Sequence, residues 1–163
     1  GWERPAHGTD SILMVSRRTR LTIRAHQTLV ADLLTQLPGA RLDLAGHVLT
    51  LGAGRIRPLS RETTLFARYV ALDTASVVPD EQDFLDTAAH QLAEMGIRVR
   101  KALCGKSTPL ATPDGPVPTR SLMLASLTIE ESIRLQQHGL GLHRLMGCGL
   151  FIPHKGIEAV RTD

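Results

Sequence analysis

Aromatic side chains are scarce in this sequence: one Trp, one Tyr and three Phe among 163 residues. Surfaces that read unpaired bases by stacking them on rows of exposed rings need more than this. The scarcity therefore argues against a base-stacking surface and favours backbone and shape recognition for any polyanionic partner. Cysteine is scarcer still. Cys104 and Cys148 stand far apart with no CxxC or Cys/His spacing, which excludes a disulfide framework and a zinc site. No long apolar run exists: each is broken by Arg, Gly or Thr well short of the roughly 20 residues that span a bilayer. No targeting signal is visible, so the sequence reads as soluble and cytoplasmic, with no membrane partner. No metal or other cofactor is expected, because carboxylates and Cys/His ligands form no cluster.

Lysine is nearly absent too, found only at 101, 106 and 155, whereas arginine supplies the rest of 19 basic residues against 16 acidic ones. The net charge of +3 and pI of about 9.3 are modest. Arginine's planar fork suits phosphate oxygens and guanine edges better than a point charge does, so clustering decides what this composition means. The length suits one compact domain or one and a half small ones.

Along the chain, ILMVSRRTRLTIRA (12 to 25) alternates like a half-buried strand, with Arg18, Arg20, Thr22 and Arg24 on one side. HQTLVADLLTQL (26 to 37) has helical spacing and stops at Pro38-Gly39. RLDLAGHVLTLG (41 to 52) reads as a short strand pair or a bent strand around Ala45-Gly46. A second series begins with the strand TLFARYVALD (64 to 73). PDEQDFLDTAAHQLAEMG (79 to 96) follows as a helix with an acidic first turn and Gly96 as its stop. IRVRKAL (97 to 103) is a strand, GKSTPLATPDGPVP (105 to 118) a Pro/Gly-rich loop, and TRSLMLASLTI (119 to 129) another strand. TIEESIRLQQHG (128 to 139) places Thr128 and Glu131 in capping-box register and ends at Gly139, and GLFIP (149 to 153) closes the series. Residues 64 to 153 thus read strand, helix, strand, strand, helix, strand, the complete ferredoxin-like order. Residues 12 to 52 give only strand, helix, strand. The expected fold is α+β with tandem ferredoxin-like modules: residues 1–60 form the closing half of an N-terminal module that lacks its opening strand, helix and strand, and 61–163 form a C-terminal module with a glycine-rich loop.

The GK[ST] of CGKST (104 to 108) resembles a phosphate loop but fails its pattern, since Arg100 stands where glycine is required and Pro109 follows instead of a helix. GLGLHRLMGCG (139 to 149) follows a helix and precedes a strand, the reverse of a dinucleotide site. Gly139, Gly141, Gly147 and Gly149 would let a polyanion approach main-chain N–H groups, with Arg144 adding a charged fork. A helix cap followed by a tight turn accounts for Gly139 without a ligand. Arg17, Arg18, Arg20 and Arg24 are either a solvated sheet face or a phosphate platform. Arg120 and Lys155 add charge in the C-terminal half. Of seven histidines, His26 and His90 fall at a helix start and within a helix; His143 and His154 lie beside the glycine run.

With this order and this loop, the chain resembles the CRISPR-associated endoribonucleases of the RAMP superfamily that process precursor guide RNA, nearest to their Myxococcus-type (MYXAN) subtype. LTIEESIRLQQHGLGLHRLMGCGLFIPHK (127 to 155) carries the likeness most specifically, supported by SRRTRLTIRA, LDLAGHVLTLG and RPLSRETTLFARYVALD. The resemblance implies metal-independent cleavage of a CRISPR repeat hairpin RNA, with a histidine as acid or base, a 2′,3′-cyclic phosphate product, and retention of that product among other CRISPR-associated effector subunits. Such families commonly carry that histidine on an N-terminal strand and helix, which here would precede Gly1; among the histidines present, His143 in the loop and His7 before the arginine strand are the candidates. His143 stands in the loop where an arginine is more usual. The same architecture could also cap a guide-RNA hairpin without cutting it.

Overall fold

The computed structural model describes residues 20–44, 46–73 and 80–155. The chain divides into two units, with the boundary between Arg57 and Pro58. Among the described residues no helix is long and apolar enough to cross a membrane.

In the first unit a 3-10 turn, Gln27–Leu29, leads into α1, Val30–Gln36, and then into the antiparallel pair β1, Arg41–Leu44, and β2, His47–Thr50. Pro38 stops the helix. Gly39 then takes a positive φ of 83° and donates to Leu51 O at 2.8 Å, which ties the helix exit to the far end of the hairpin. The hairpin turn is closed by Asp43, whose Oδ1 accepts from Gly46 N at 2.8 Å. The helix and the strand pair therefore stand as expected. The arginine strand does not: residues 20 to 25 form no strand, and Leu21 and Ile23 are more than half exposed. Alternation supplies a strand only where a neighbouring ladder and a buried face exist to use it, and these residues have neither among the described ones. Residues 12 to 19 lie outside the described residues.

The second unit runs β3 (Leu65–Val70), α2 (Glu81–Glu94), β4 (Lys101–Cys104), β5 (Thr108–Thr112), β6 (Gly115–Ala125), α3 (Ile129–His138) and β7 (Ile152–Pro153). The sheet order is β4-β6-β3-β7, antiparallel throughout, and β5 pairs with the first half of β6. This is the ferredoxin-like arrangement with an added hairpin. One face of the sheet, Leu65, Ala67, Leu122 and Leu124, is buried with Phe84, Ala88 and Leu92 of α2 and Leu135 of α3. Each such large side chain contributes about 1.5–3 kcal/mol on burial, so this layer fixes β3 and α3.

The stretch from 105 to 118 is a β-hairpin and not a loop. Pro109 faces Pro118 and Ala111 faces Pro116, so the three prolines in its strands occupy one set of alternate pairs, and Pro113 lies in the turn between them. The other set, Thr108 with Thr119, Leu110 with Val117 and Thr112 with Gly115, is free of proline and can carry the ladder.

Two polar anchors orient α3. Thr128 and Glu131 form the capping box, and Glu131 also accepts from Arg98 N at 3.0 Å and pairs with Arg100 at 2.6 Å. At the other end of the helix, buried Gln136 accepts from Ser60 N at 3.0 Å and donates to Ser60 O at 2.7 Å. Burial pushes the Glu131 carboxyl up, but the Arg100 guanidinium and the N–H groups of Thr128 and Arg98 outweigh it and hold the pKa at about 2. A folded-state value below the ordinary 4.5 stabilises the fold above that pH and ceases to do so as pH falls toward 2. Thermal unfolding of the native chain should therefore lose stability between about pH 5 and pH 2, while Glu131→Gln starts from a lower Tm at pH 7 and shows a shallower acid slope. Equal slopes in the two proteins would refute the role given to this carboxylate.

Candidate nucleic-acid interface

α3 ends where Gly139 donates to Leu135 O at 2.8 Å with φ 67° and ψ −170°. The chain then lies down on the end of β3. Leu142 N donates to Ala71 O at 2.8 Å, and Gly149 N donates to Tyr69 O at 2.6 Å. Between them Leu140 N reaches Gly149 O at 3.1 Å, closing the loop on itself.

This packing accounts for three of the four glycines. A Cβ on Gly139 would stand 2.7 Å from Gly149 O, one on Gly141 would strike the Ala71 carbonyl, and one on Gly149 would strike the Leu140 carbonyl. All three also have positive φ. Gly147 differs, because its φ of 89° needs glycine but a Cβ there would meet open space.

The closed base carries an exposed tip, residues 142 to 147. His143 adopts left-handed backbone, φ 55°, and its carbonyl accepts from Met146 N at 3.0 Å and Cys148 N at 3.3 Å, starting the 3-10 turn Arg144–Met146. Arg144 reaches back and donates from Nη1 to the His138 carbonyl, which places its charge at the negative end of α3 and ties the tip to the helix. The loop therefore presents an imidazole, part of a guanidinium and the fully exposed Leu145 on a base held by main-chain bonds. Cys148 is buried beneath it, and burial raises its thiol pKa, so it has no reactive character.

The other expected residues are distributed around this base. Arg120 is paired with Val70, one residue before Ala71, and donates to Gly105 O at 3.0 Å, so it lies at the same end of β3 as the loop. It lines a small cleft with Thr119, Ser107 and Phe84. His154 and Lys155 are not beside the loop. His154 N donates to Thr64 O, at the opposite end of β3, roughly 20 Å away at about 3.3 Å per strand residue. Arg20 is exposed and Arg24 half-buried in the first unit, where desolvation lowers the Arg24 pKa. His7, Arg17 and Arg18 lie outside the described residues. Among the described residues no group of three His, Cys, Asp or Glu could hold a metal ion. Sequence reasoning misses Arg68 and Lys101, which alternate outward from the core positions of β3 and β4; that alternation is the signal that could have found them.

A family model described as Cas6 Crispr matches residues 4–156. The chain belongs to the Cas6 family. It is 34% identical over 150 residues, 92% of its length, to the CRISPR-associated endonuclease Cas6 of Myxococcus xanthus strain DK1622, and spans 63% of that protein. The Myxococcus-type resemblance read from residues 127 to 155 thus agrees with the family shown. Solved structures similar over 68% of this chain include two of the CRISPR endoribonuclease Cse3 bound to 19-nucleotide RNA, at 16% and 18% identity with TM-scores of 0.44 and 0.47 over 65% and 64% of those chains. Cse3 of Thermus thermophilus bound to an RNA representing a pre-cleavage complex gives 14% identity and a TM-score of 0.45 over 63% of that chain.

In this Cas6-family loop, alanine should discriminate the glycines. Gly141→Ala or Gly149→Ala must move main chain and should lose several kcal/mol of stability, or fail to fold. Gly147→Ala carries only the left-handed penalty of about 1–2 kcal/mol. Urea denaturation of the three variants checks this, and equal losses at 147 and 149 would contradict the packing described.

Proposed function

We propose that the chain binds CRISPR repeat hairpin RNA and cleaves it without a metal ion, as a precursor guide-RNA processing endoribonuclease that keeps its product. Membership of the Cas6 family carries this reading, and the loop that fixes His143 and Arg144 on a rigid base supports it. In the proposed reaction a ribose 2′-hydroxyl gives its proton to a base and attacks the adjacent phosphorus. The bond to the 5′-oxygen breaks, and that oxygen takes a proton from an acid, leaving a 2′,3′-cyclic phosphate and a 5′-hydroxyl. Histidine suits both proton transfers because its ordinary pKa lies near neutrality.

His143 is the first candidate for one of these roles, His7 the second, and a residue preceding Gly1 the remaining one. Arg17, Arg18, Arg20, Arg24, Arg120, Arg144 and Lys155 are proposed to contact phosphates, with Gly139, Gly141, Gly147 and Gly149 shaping the loop that approaches the RNA. Because three of these glycines are already needed by the loop itself, their part in binding is to hold its shape; Gly147 is the position left to a ligand. Residues 1–60 are read as the closing half of an N-terminal ferredoxin-like module, 61–163 as the second module. The M. xanthus relative is longer than this chain, which suits a first module with further elements. The protein would work in the cytoplasm beside other CRISPR-associated effector subunits.

Single-turnover cleavage of the repeat hairpin in chelator tests this. Cyclic-phosphate ends should form without magnesium, and His143→Ala should slow the chemical step by about 10²–10⁴-fold while largely sparing RNA affinity. Arg18→Ala with Arg20→Ala should flatten the salt dependence of binding by about 0.7–0.9 in log–log slope for each phosphate that these side chains neutralise. A strict magnesium requirement would overturn the metal-free mechanism, and full cleavage by the His7→Ala/His143→Ala double variant would overturn the histidine assignment. Tight binding without cleavage by the unaltered chain would favour a non-cleaving hairpin cap.

A further inference from the structure

The helices of the second unit cover the sheet face that carries Leu65, Ala67, Leu122 and Leu124. On the opposite face the register sets Leu103 against Met123, Met123 against Phe66, and Phe66 against Ile152. Four apolar side chains therefore form one row across β4, β6, β3 and β7, roughly 14 Å long at about 4.8 Å per strand. The row is open: Leu103 is 60% and Ile152 55% exposed, and Phe66 and Met123 are half-buried. Beside it stands His154, whose ring centroid is 5.6 Å from that of Phe66 with the planes inclined at 50°.

The strands that carry this row hold charge of one sign only. Lys101 lies two residues before Leu103, Arg68 two residues beyond Phe66, and both are exposed. Not one Asp or Glu occurs in β3, β4, β5, β6 or β7. A narrow apolar row on strands whose charged residues are all cations matches a chain whose units pair a flat apolar ring with an anion. Bases of a duplex are already stacked and would leave the row uncovered; unpaired bases would cover it.

We propose that this face is a platform for an unpaired segment of RNA, separate from the glycine loop, with one base seated in the corner of Phe66 and His154, the next along Met123 and Leu103, and Lys101 and Arg68 on the phosphates. The proposal rests on the RNA-binding reading above and adds a second, single-stranded element to the ligand. It also revises the expectation drawn from aromatic scarcity, since one Phe and one His suffice where aliphatic side chains complete the row.

The full chain tests this against three labelled RNAs: the repeat hairpin alone, the hairpin with a single-stranded extension, and an oligouridylate of about 12 nucleotides, long enough to cover one single-strand site, with affinities read by fluorescence anisotropy at several salt concentrations. Wild type should bind the extended RNA more tightly than the hairpin. Phe66→Leu, which keeps an apolar side chain at the site, and the exposed His154→Ala should each weaken oligouridylate binding by roughly 5-fold or more, the effect of losing one stacked base, and narrow the gap between the two hairpin ligands. Lys101→Ala should reduce the salt slope for the oligonucleotide. Unchanged oligonucleotide affinity in folded Phe66→Leu and His154→Ala would overturn the proposal. So would self-association of the wild type through this face, abolished by Leu103→Glu, with no oligonucleotide binding. Failure of the wild type to bind any of the three RNAs would instead defeat the RNA-binding reading on which this one stands.

Discussion

The main chain of β3 is the constraint on which the second unit depends. It pairs with β6 on one side and β7 on the other, and the carbonyls at its end, Tyr69 and Ala71, accept from Gly149 and Leu142. One strand therefore fixes the sheet, the glycine-rich loop and, through Val70, the position of Arg120. A shift of β3 by a single residue would reverse its buried face and detach the loop together. The register break between Ala67 and Val70 lies just before the point where the loop is received, so the strand's last residues are aimed separately from its core segment.

Positioning of the tip comes from α3 as much as from β3. Its N-terminus is held by Glu131 between the Thr128 cap and Arg100, its flank by Gln136 on the Ser60 main chain, and its C-terminus by Arg144 returning to His138. Each anchor satisfies a main-chain group that a helix end or connecting segment would otherwise leave to solvent. A side chain that must meet a phosphate or a proton at a fixed point gains from such a support, because flexibility in the base would spread its positions over distances larger than a hydrogen bond tolerates.

The order of the second unit was legible because its signals are local: the acidic first turn of α2, the Thr128–Glu131 capping box of α3, Gly96 and Gly139 as stops, alternation in LFARYV and in SLMLA. The hairpin at 108 to 125 was not, because three prolines in its strands read as a loop until the pairing shows that they share one set of alternate positions. The arginine segment misled in the opposite direction, since period-two alternation in TRLTIRA describes a possible strand and only a partner ladder makes one. At the loop, four glycines suggested a cradle for a ligand; that three of them face other main-chain atoms of the same protein depends on contacts between residues about 10 and 70 positions apart, such as Gly139 with Gly149 and Gly141 with Ala71, which no local pattern encodes. The open row of Leu103, Met123, Phe66 and Ile152 was hidden for the same reason, being contributed by four strands.

The prolines of the β5–β6 hairpin also bear on how the protein behaves in solution. A sheet margin with free N–H and C=O groups is a template onto which another chain can add and grow an aggregate. Pro109 on β5 and Pro116 and Pro118 on β6 offer no N–H at their positions. The neighbouring margin, β4, is only four residues long and begins with a lysine. Margins of this type refuse further peptide strands yet leave nucleic acid untouched, since it has no peptide ladder to complete and is not turned away by proline.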